Sequence, residues 1–499
     1  MTLATIGQDD FAVGTLRGVA PDVQPGVGVY AAINAMLNDD GDLFRRGGSR
    51  YLDPGYHLDG AITWIWSGFL GAEFFTLVSD LSGVYTSDNV LIGGSAGLPR
   101  PVQVVAMDTT LFFPNGDRFV YTPGSGLLKY DWALPPSIDS SGDLHLATIA
   151  GRLVVASGNT IAFSEAGFPE TFTPDDYHTL PGGVQVRGLA AIQDTLLVFT
   201  NYGLWAISNM AYNLTDAAGN IQQTLALIVP EMSLLHEAGL APWQGRFIAP
   251  CADRVYFVDA VSAPVPISDS ITPMYAELVR QGARPGLAKV HRNTLFLPML
   301  KTNQSTLEEE NVATLTCRVD RPIQGRYTYF PWAEHRGHAA KARAFDIATR
   351  TPNIAPIKPA SFLLGGGEDG FVSDLTDIFR PSATNARDAD NTSIEFQVET
   401  RDFPTGQGQP NHLKRVRLTY TLEGAAQIAA EITDDRTRTT WVALGSEDLT
   451  APGEDPAAWW LHPPARVRYA RARLTLTGDP ARLVFHRIEM TVRPASHAR

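Results

Sequence analysis

One short hairpin recurs along this chain, and its recurrence limits the folds open to it. The clearest copy runs from Gly151 to Phe172, GRLVVASGNTIAFSEAGFPETF. Leu153, Val154, Val155 and Ala156 form a run that is apolar on both faces. A tight Ser157-Gly158-Asn159-Thr160 turn follows, then a second run (Ile161, Ala162, Phe163) and a Gly167-Phe168-Pro169 exit. Gly and Asn reach the positive φ angles that a two-residue hairpin turn requires. A strand with one wet face alternates in polarity, so a run apolar on both faces predicts a strand covered on both sides.

The same unit is legible from Phe74 to Asn89, from Thr110 to Gly124, from Asp194 to Ser208 and from Gly245 to Ala260. It returns where Asn293–Leu300 faces Thr314–Val319 across the polar insert Lys301 to Glu310, and again from Ser361 to Leu375. About seven copies at intervals of roughly 35 to 65 residues indicate radially repeated four-stranded sheets, an all-β propeller of six or seven irregular blades over residues 61–380. Stacked β-sandwiches are the alternative. Helical patterns are short, at Met274 to Gln281 and Glu231 to Ala238.

Around this body the composition changes. Residues 1–60 are rich in Gly, Pro and Asp and read as an extended arm with a short helix near Val29 to Leu37. Asp39-Asp40-Gly41-Asp42 lacks the spaced carboxylates and closing Glu of an EF-hand, so a solvated turn is expected there. Residues 381–393 read as a polar linker. Residues 394–499 alternate cleanly at Ile394–Thr400, Val416–Tyr420 and Ala472–Leu476, which predicts an antiparallel β-sandwich docking domain. Within it Arg466, Arg468, Arg471 and Arg473 stand at near-alternate positions and form a candidate docking face.

With 499 residues the chain exceeds a single core. A net charge of −13 argues against a sequence-independent nucleic-acid binder, whose surface would be basic. Cys251 and Cys317 are far apart and fit neither a disulfide framework nor a zinc spacing, so both are expected as buried thiols. The N-terminus has no secretory pattern. Ala61 to Val78 is nearly long enough to span a membrane, but Glu73 and a Ser67-Gly68 break favour two buried strands joined by a turn.

No P-loop, dinucleotide fingerprint, HExxH or GxSxG is present. Propeller glycosidases need paired carboxylates. The acids Glu165, Asp253, Glu368 and Asp369 fall mostly at hairpin turns, where Asp and Gly serve the backbone. His335 and His338 share a loop without a third ligand nearby. Trp64, Trp66, Trp205, Trp243 and Trp332 read as core. The expectation is a non-enzyme with no cofactor and no metal.

The arrangement resembles the tail nozzle proteins of short-tailed bacteriophages, also described as tail tubular protein B or packaged-DNA stabilisation protein. Three stretches carry the resemblance. The first is the arm that closes on Asn38, Gly41, Arg45, Arg46, Gly47 and Gly48. The second is the central unit with Ser164, Gly167, Pro169 and Phe172. The third is the strand segment with Glu399, Thr400, Arg401, Asp402, Phe403, Lys414 and Arg415. The resemblance implies a structural virion protein in the phage tail. It would form a hexameric ring that extends the DNA channel, docks on adaptor or connector proteins beside fibres or spikes, and retains packaged double-stranded DNA without reading its sequence. Candidate gate loops are Asn209 to Gln223, with Asn209, Asp216 and Asn220, and the insert with Lys301, Glu308, Glu309 and Glu310. A receptor- or carbohydrate-binding tail-tip propeller is the rival reading.

Overall fold

The computed structural model describes residues 4–8, 31–37, 42–46, 49–51, 57–86, 90–92, 97–98, 100–135, 137–139, 142–211, 222–305, 309–324, 328–337, 341–350, 360–375, 379, 387–388, 390–391, 393–400, 403–404, 411–433, 440–450, 457–461, 465–467, 469–478, 480 and 482–494. Seven antiparallel blades follow one another around an axis, six as small separate sheets and one as part of a larger sheet. Blade 1 is Trp64–Leu70, Glu73–Ser79 and Val84–Thr86. Blade 2 spans Val105–Met107 to Gly126–Asp131, blade 3 Leu144–Ile149 to Phe168–Thr179, blade 4 Val186–Ile192 to Thr224–Pro230, and blade 5 Ala241–Trp243 to Val265–Pro266. Blade 6 runs from Lys289–His291 through Thr294–Thr302 and Glu309–Arg318 to Trp332–His335. Blade 7 is Ala344–Arg350, Ala360–Gly366 and Val372–Asp374, and its fourth strand is Arg50–Tyr51 from the N-terminal region. The first strand of blade 7 packs on the first strand of blade 1, so the ring closes.

The doubly apolar runs have a direct explanation in this ring. In Arg152–Ser157, Leu153 and Val155 enter a core shared with Val105 and Phe112 of blade 2, while Val154 and Ala156 enter one shared with Leu196 and Val198 of blade 4. Successive side chains of a strand point to opposite faces, so an inner strand sandwiched between blades must be apolar at every position. The turn between Ser157 and Thr160 forms as expected, with Gly158 at φ +58°. Gly167 takes φ +79°, and the Ser164 hydroxyl accepts a 2.8 Å bond from the Leu153 amide.

Ala61 to Val78 resolves into two paired strands, as expected, but the turn falls at Gly71-Ala72 and not at Ser67-Gly68. Among the described residues no helix is long and apolar enough to cross a membrane, and Thr272–Arg280 is the single α-helix.

The N-terminal segment corrects the sequence reading. Ala31–Ile33 and Ala35–Leu37 are buried strands, not a helix, separated by Asn34 at φ +53°. Three-residue strands are too short to express a period, and pairing partners far along the chain decide their conformation. Ile33 pairs with Glu334 of blade 6, and Ala31–Ile33 pairs with Phe396–Glu399 on the other side. One eleven-stranded sheet therefore runs from blade 6 through the N-terminal strand into Tyr469–Thr477, Ala425–Thr433 and Val442–Thr450. A second sheet joins Ala35–Leu37 and Leu43–Arg45 to Arg482–Pro494, Asn411–Glu423 and Ala457–Leu461. Ala32, Leu37, Leu43, Phe396, Leu418, Ile428, Leu474 and Phe485 share the core between these sheets. The arm strands Ala4–Gln8, Ala31–Ile33, Ala35–Leu37 and Leu43–Arg45 thus belong to the C-terminal sandwich while Arg50–Tyr51 belongs to blade 7, and the sandwich is joined to the propeller by backbone hydrogen bonds.

Two arginines fasten this joint. The Arg46 guanidinium is fully buried and donates to both carboxylate oxygens of Asp388 at 2.8 Å, to Asn34 Oδ1 at 3.1 Å and to the Arg336 carbonyl at 2.9 Å. Arg45 donates to the carbonyls of Ile394, Pro480 and Gly478. Asp388 lies in the expected linker, which is anchored at that point. The candidate docking face is corrected here too. Arg471 is buried, and Arg473 pairs with Glu399 at 2.9 Å and Glu431 at 3.3 Å while lying over the Trp441 ring. Arg471 and Arg473 stand two positions apart on a strand inside the large sheet, where burial and the Glu399 and Glu431 carboxylates already engage them in turn. Arg466 lies on the strand Ala465–Val467, and Arg468 is outside the described residues.

Candidate functional site

Each blade begins at its inner strand, so the first residues of all inner strands gather at one mouth of the propeller. The turns between second and third strands open on the same mouth. Thr302 and Glu309, the paired ends of the insert, flank such a turn. Ser208 and Thr224, where the third strand of blade 4 ends and its fourth begins, are paired at the opposite mouth. The described ends of the two candidate gate loops are therefore on opposite faces of the propeller. Glu309 is buried and bound by Arg284, Glu310 accepts from Asn303 at 2.6 Å, and Lys301 is half-buried. Asn209 donates to the Gln222 carbonyl at 3.1 Å across the base of its loop. Asp216, Asn220 and Glu308 lie outside the described residues.

The propeller axis is closed at the first mouth by the segment Leu235 to Leu240. Glu237–Gly239 forms a 3-10 turn. Ala238 is buried in a core shared with Trp64, Leu111, Leu287 and Ala344, from blades 1, 2 and 7 and the approach to blade 6. Glu237 is bound by His145 of blade 3, and Gln103 at the approach to blade 2 donates to the carbonyls of Glu237 and Leu240 at 3.2 Å. Gly188 of blade 4 leaves no room for a side chain, because an added Cβ would lie 2.8 Å from Leu234 and 3.2 Å from Glu237 Cβ. Gly239 likewise abuts Pro250 and Pro285. A turn within reach of this many blades sits on the axis and plugs it.

Beside the plug lies a cavity of about 320 Å³, lined by Arg100, Asn115, Asp143, His145, Arg187, His236 and Glu237 together with apolar side chains that include Leu98, Val102, Leu134, Leu144 and Leu235. Arg100 and Asp143 form an ion pair at its rim. Burial pushes the Asp143 carboxyl up, but the hydrogen bond and charge of Arg100, aided by His145 and His236, hold it below the usual carboxylate value. Burial depresses His236 to about 4, the charges of Arg284 and Arg100 add to this, and Glu237 opposes it. His236 is therefore neutral near pH 7. Its Nδ1 accepts from the Ala238 amide at 3.2 Å, so the ring proton is on Nε2.

The acids singled out by sequence do not meet here. Asp253 accepts from Tyr256, Glu368 from the Asn311 amide, and Asp369 from Tyr51, and none of them lines the cavity. His335 is fully buried between Thr316 and the Ala35 carbonyl, while His338 lies outside the described residues. Among the described residues no group of three His, Cys, Asp or Glu side chains is arranged to hold a metal ion. Cys251 and Cys317 are buried free thiols, both pushed up by burial and so unreactive. Sequence reading did not find the cavity residues. They come from stretches far apart in the chain, at Leu98, Arg100, Asn115, Asp143 to His145, Arg187 and Leu235 to Glu237, partly in connections and partly at the starts of inner strands, and no local pattern unites them.

No family model matches this chain, and no curated protein matches it. Solved structures similar to it include a complex of BBS1N with ARL6DN, at 13% identity and a TM-score of 0.38, covering 66% of this chain and 97% of that one. The Pan2 WD40 domain of Neurospora crassa is similar at 12% identity and a TM-score of 0.35, over 68% and 96%. A family 43 arabinoxylan arabinofuranohydrolase from Bacillus subtilis is similar at 10% identity and a TM-score of 0.27, over 88% and 97%. Likeness at this level says nothing of what this chain binds or catalyses, and a propeller hosts many unrelated functions. The seven-bladed fold stands on its own sheets.

Proposed function

We propose that this chain is a structural virion subunit of the tail-nozzle type, one of six in a ring that prolongs the DNA channel of a short-tailed phage. The observation that carries this reading is the joint between propeller and sandwich. A continuous sheet and a buried Arg46–Asp388 pair make the two parts one block, as a subunit under load requires. Arg45 and Arg46, which belong to the residues carrying the family resemblance, build that joint. The plugged axis adds a geometric condition: the conduit lies between subunits, around the ring axis, and not through any single propeller. Heterologous interfaces that close a ring suit this. Six copies at −13 each make an acidic wall along which a polyanion slides without sticking. Adaptor or connector proteins, and fibres or spikes, are the partners in this reading. The rival carbohydrate-binding reading gains nothing from the mouth cavity, whose described lining holds no Phe, Tyr or Trp for a sugar to stack on.

Electron microscopy of the purified chain, alone and mixed with connector rings, tests the proposal. Rings with an axial hole wide enough for duplex DNA are expected. Monomers that stay monomeric in the presence of connector rings would overturn it.

A further inference from the structure

We infer that the cavity at the plugged mouth is a binding site for a carboxylate group carried on a small apolar body. This inference stands independently of the ring assembly proposed above.

Two side chains of the cavity offer donors that have no partner among the described residues. Arg187 is exposed and lines the cavity, and its side chain makes no hydrogen bond or ion pair with the described residues. His236 is held by the Ala238 amide as the tautomer with its proton on Nε2, and that nitrogen has no partner among the described residues. Each carboxylate already holds a partner on one oxygen, Asp143 Oδ1 with Arg100 and Glu237 Oε2 with His145. A guest that brings acceptor oxygens meets the two donors left without a partner.

Charge narrows the class. Arg100 is paired with Asp143, and Glu237 is hydrogen-bonded to His145, which leaves Arg187 as the one guanidinium of the lining with no carboxylate partner among the described residues. One guanidinium fork matches one carboxylate in charge and geometry. A doubly charged phosphate would bring a second charge to a site that also holds two carboxylates, with no second free cation lining it. The rest of the wall is Leu98, Val102, Leu134, Leu144 and Leu235, so the body behind the carboxylate is aliphatic. At about 320 Å³ the cavity is at the small end of ligand pockets, room for a short branched acid or one terminal residue of a peptide.

Thermal shift and titration calorimetry with the full chain decide the matter, using 3-methylbutanoate, its uncharged amide, inorganic phosphate, and a short peptide ending in a free leucine carboxylate. The acid should raise Tm and bind, while the amide and phosphate should not. Arg187→Ala should weaken acid binding by about tenfold, and Arg187→Lys by less, because a point charge retains attraction but loses the fork. A peptide that binds more tightly than the free acid identifies a partner chain's terminus as the source, and equal or weaker binding identifies a free metabolite. Either result supports the site. Equal binding of the amide or of phosphate, acid binding unchanged in Arg187→Ala, or no response to the acid or the peptide would overturn it. Arg187 is exposed, so its variants should fold, and an unchanged circular dichroism spectrum checks that they do.

Discussion

Arg46 shows how much one side chain can hold together. It is fully buried and ties the N-terminal segment to Asp388 and to blade 6. Breaking a buried pair by removing one partner leaves an uncompensated charge. Arg46→Ala or Asp388→Ala should cost about 3–5 kcal/mol in denaturant unfolding, whereas the double change Arg46→Met with Asp388→Leu should cost much less. His335 lies close by and gives the joint a pH dependence. Burial, reinforced by the Arg46 charge, depresses it to about 3, with the Ala35 carbonyl and Asp388 opposing. Its folded value lies below its unfolded value of about 6.5, so the unfolded chain takes up the proton first. Stability is full above that pH and falls as the pH drops towards 3. Between pH 8 and pH 5 the loss from this one group is about 2 kcal/mol, and His335→Asn should lose about that much less over the same interval. Neither Arg46 nor His335 is marked by its neighbours in sequence, because their partners lie 342 and 300 positions away.

At the scale of elements, the inner strands were legible and the plug was not. Leu153 to Ala156 and Leu196 to Phe199 announce strands covered on both faces, because blades pack on both sides of them. The segment Leu235 to Leu240 is a single turn with no period, and only its position on the axis gives it a role. Its fit is tightest at Gly188, where an added Cβ would lie 2.8 Å from Leu234 and 3.0 Å from Leu240. Gly188→Ala should therefore destabilise by about 1–3 kcal/mol through overpacking. Hydrogen exchange should report the loss first at Leu234 to Leu240. An unchanged melting temperature would mean that the plug has room to shift.

For the whole molecule, the continuous sheet predicts how it comes apart. Propeller and sandwich share backbone bonds through Ala31–Ile33, and Arg50–Tyr51 closes blade 7. Unfolding should follow one cooperative transition, with coincident tryptophan fluorescence and far-ultraviolet circular dichroism curves. Two separated transitions would mean that the joint is weak and would remove the main support for a load-bearing subunit. The proposed ring formation with connector proteins is tested at the same scale, since a closed ring depends on surfaces that no single subunit completes.

What the chain determined locally is the fold class: hairpin turns with Gly and Asn, doubly apolar strands and their spacing all depend on neighbours a few residues apart. Tertiary structure alone decided which strands closed the ring, which arginines faced inward and where donors converged. Those outcomes depend on contacts between segments hundreds of residues apart, and a strand of two or three residues such as Arg50–Tyr51 or Ala31–Ile33 carries no pattern that could name its partner.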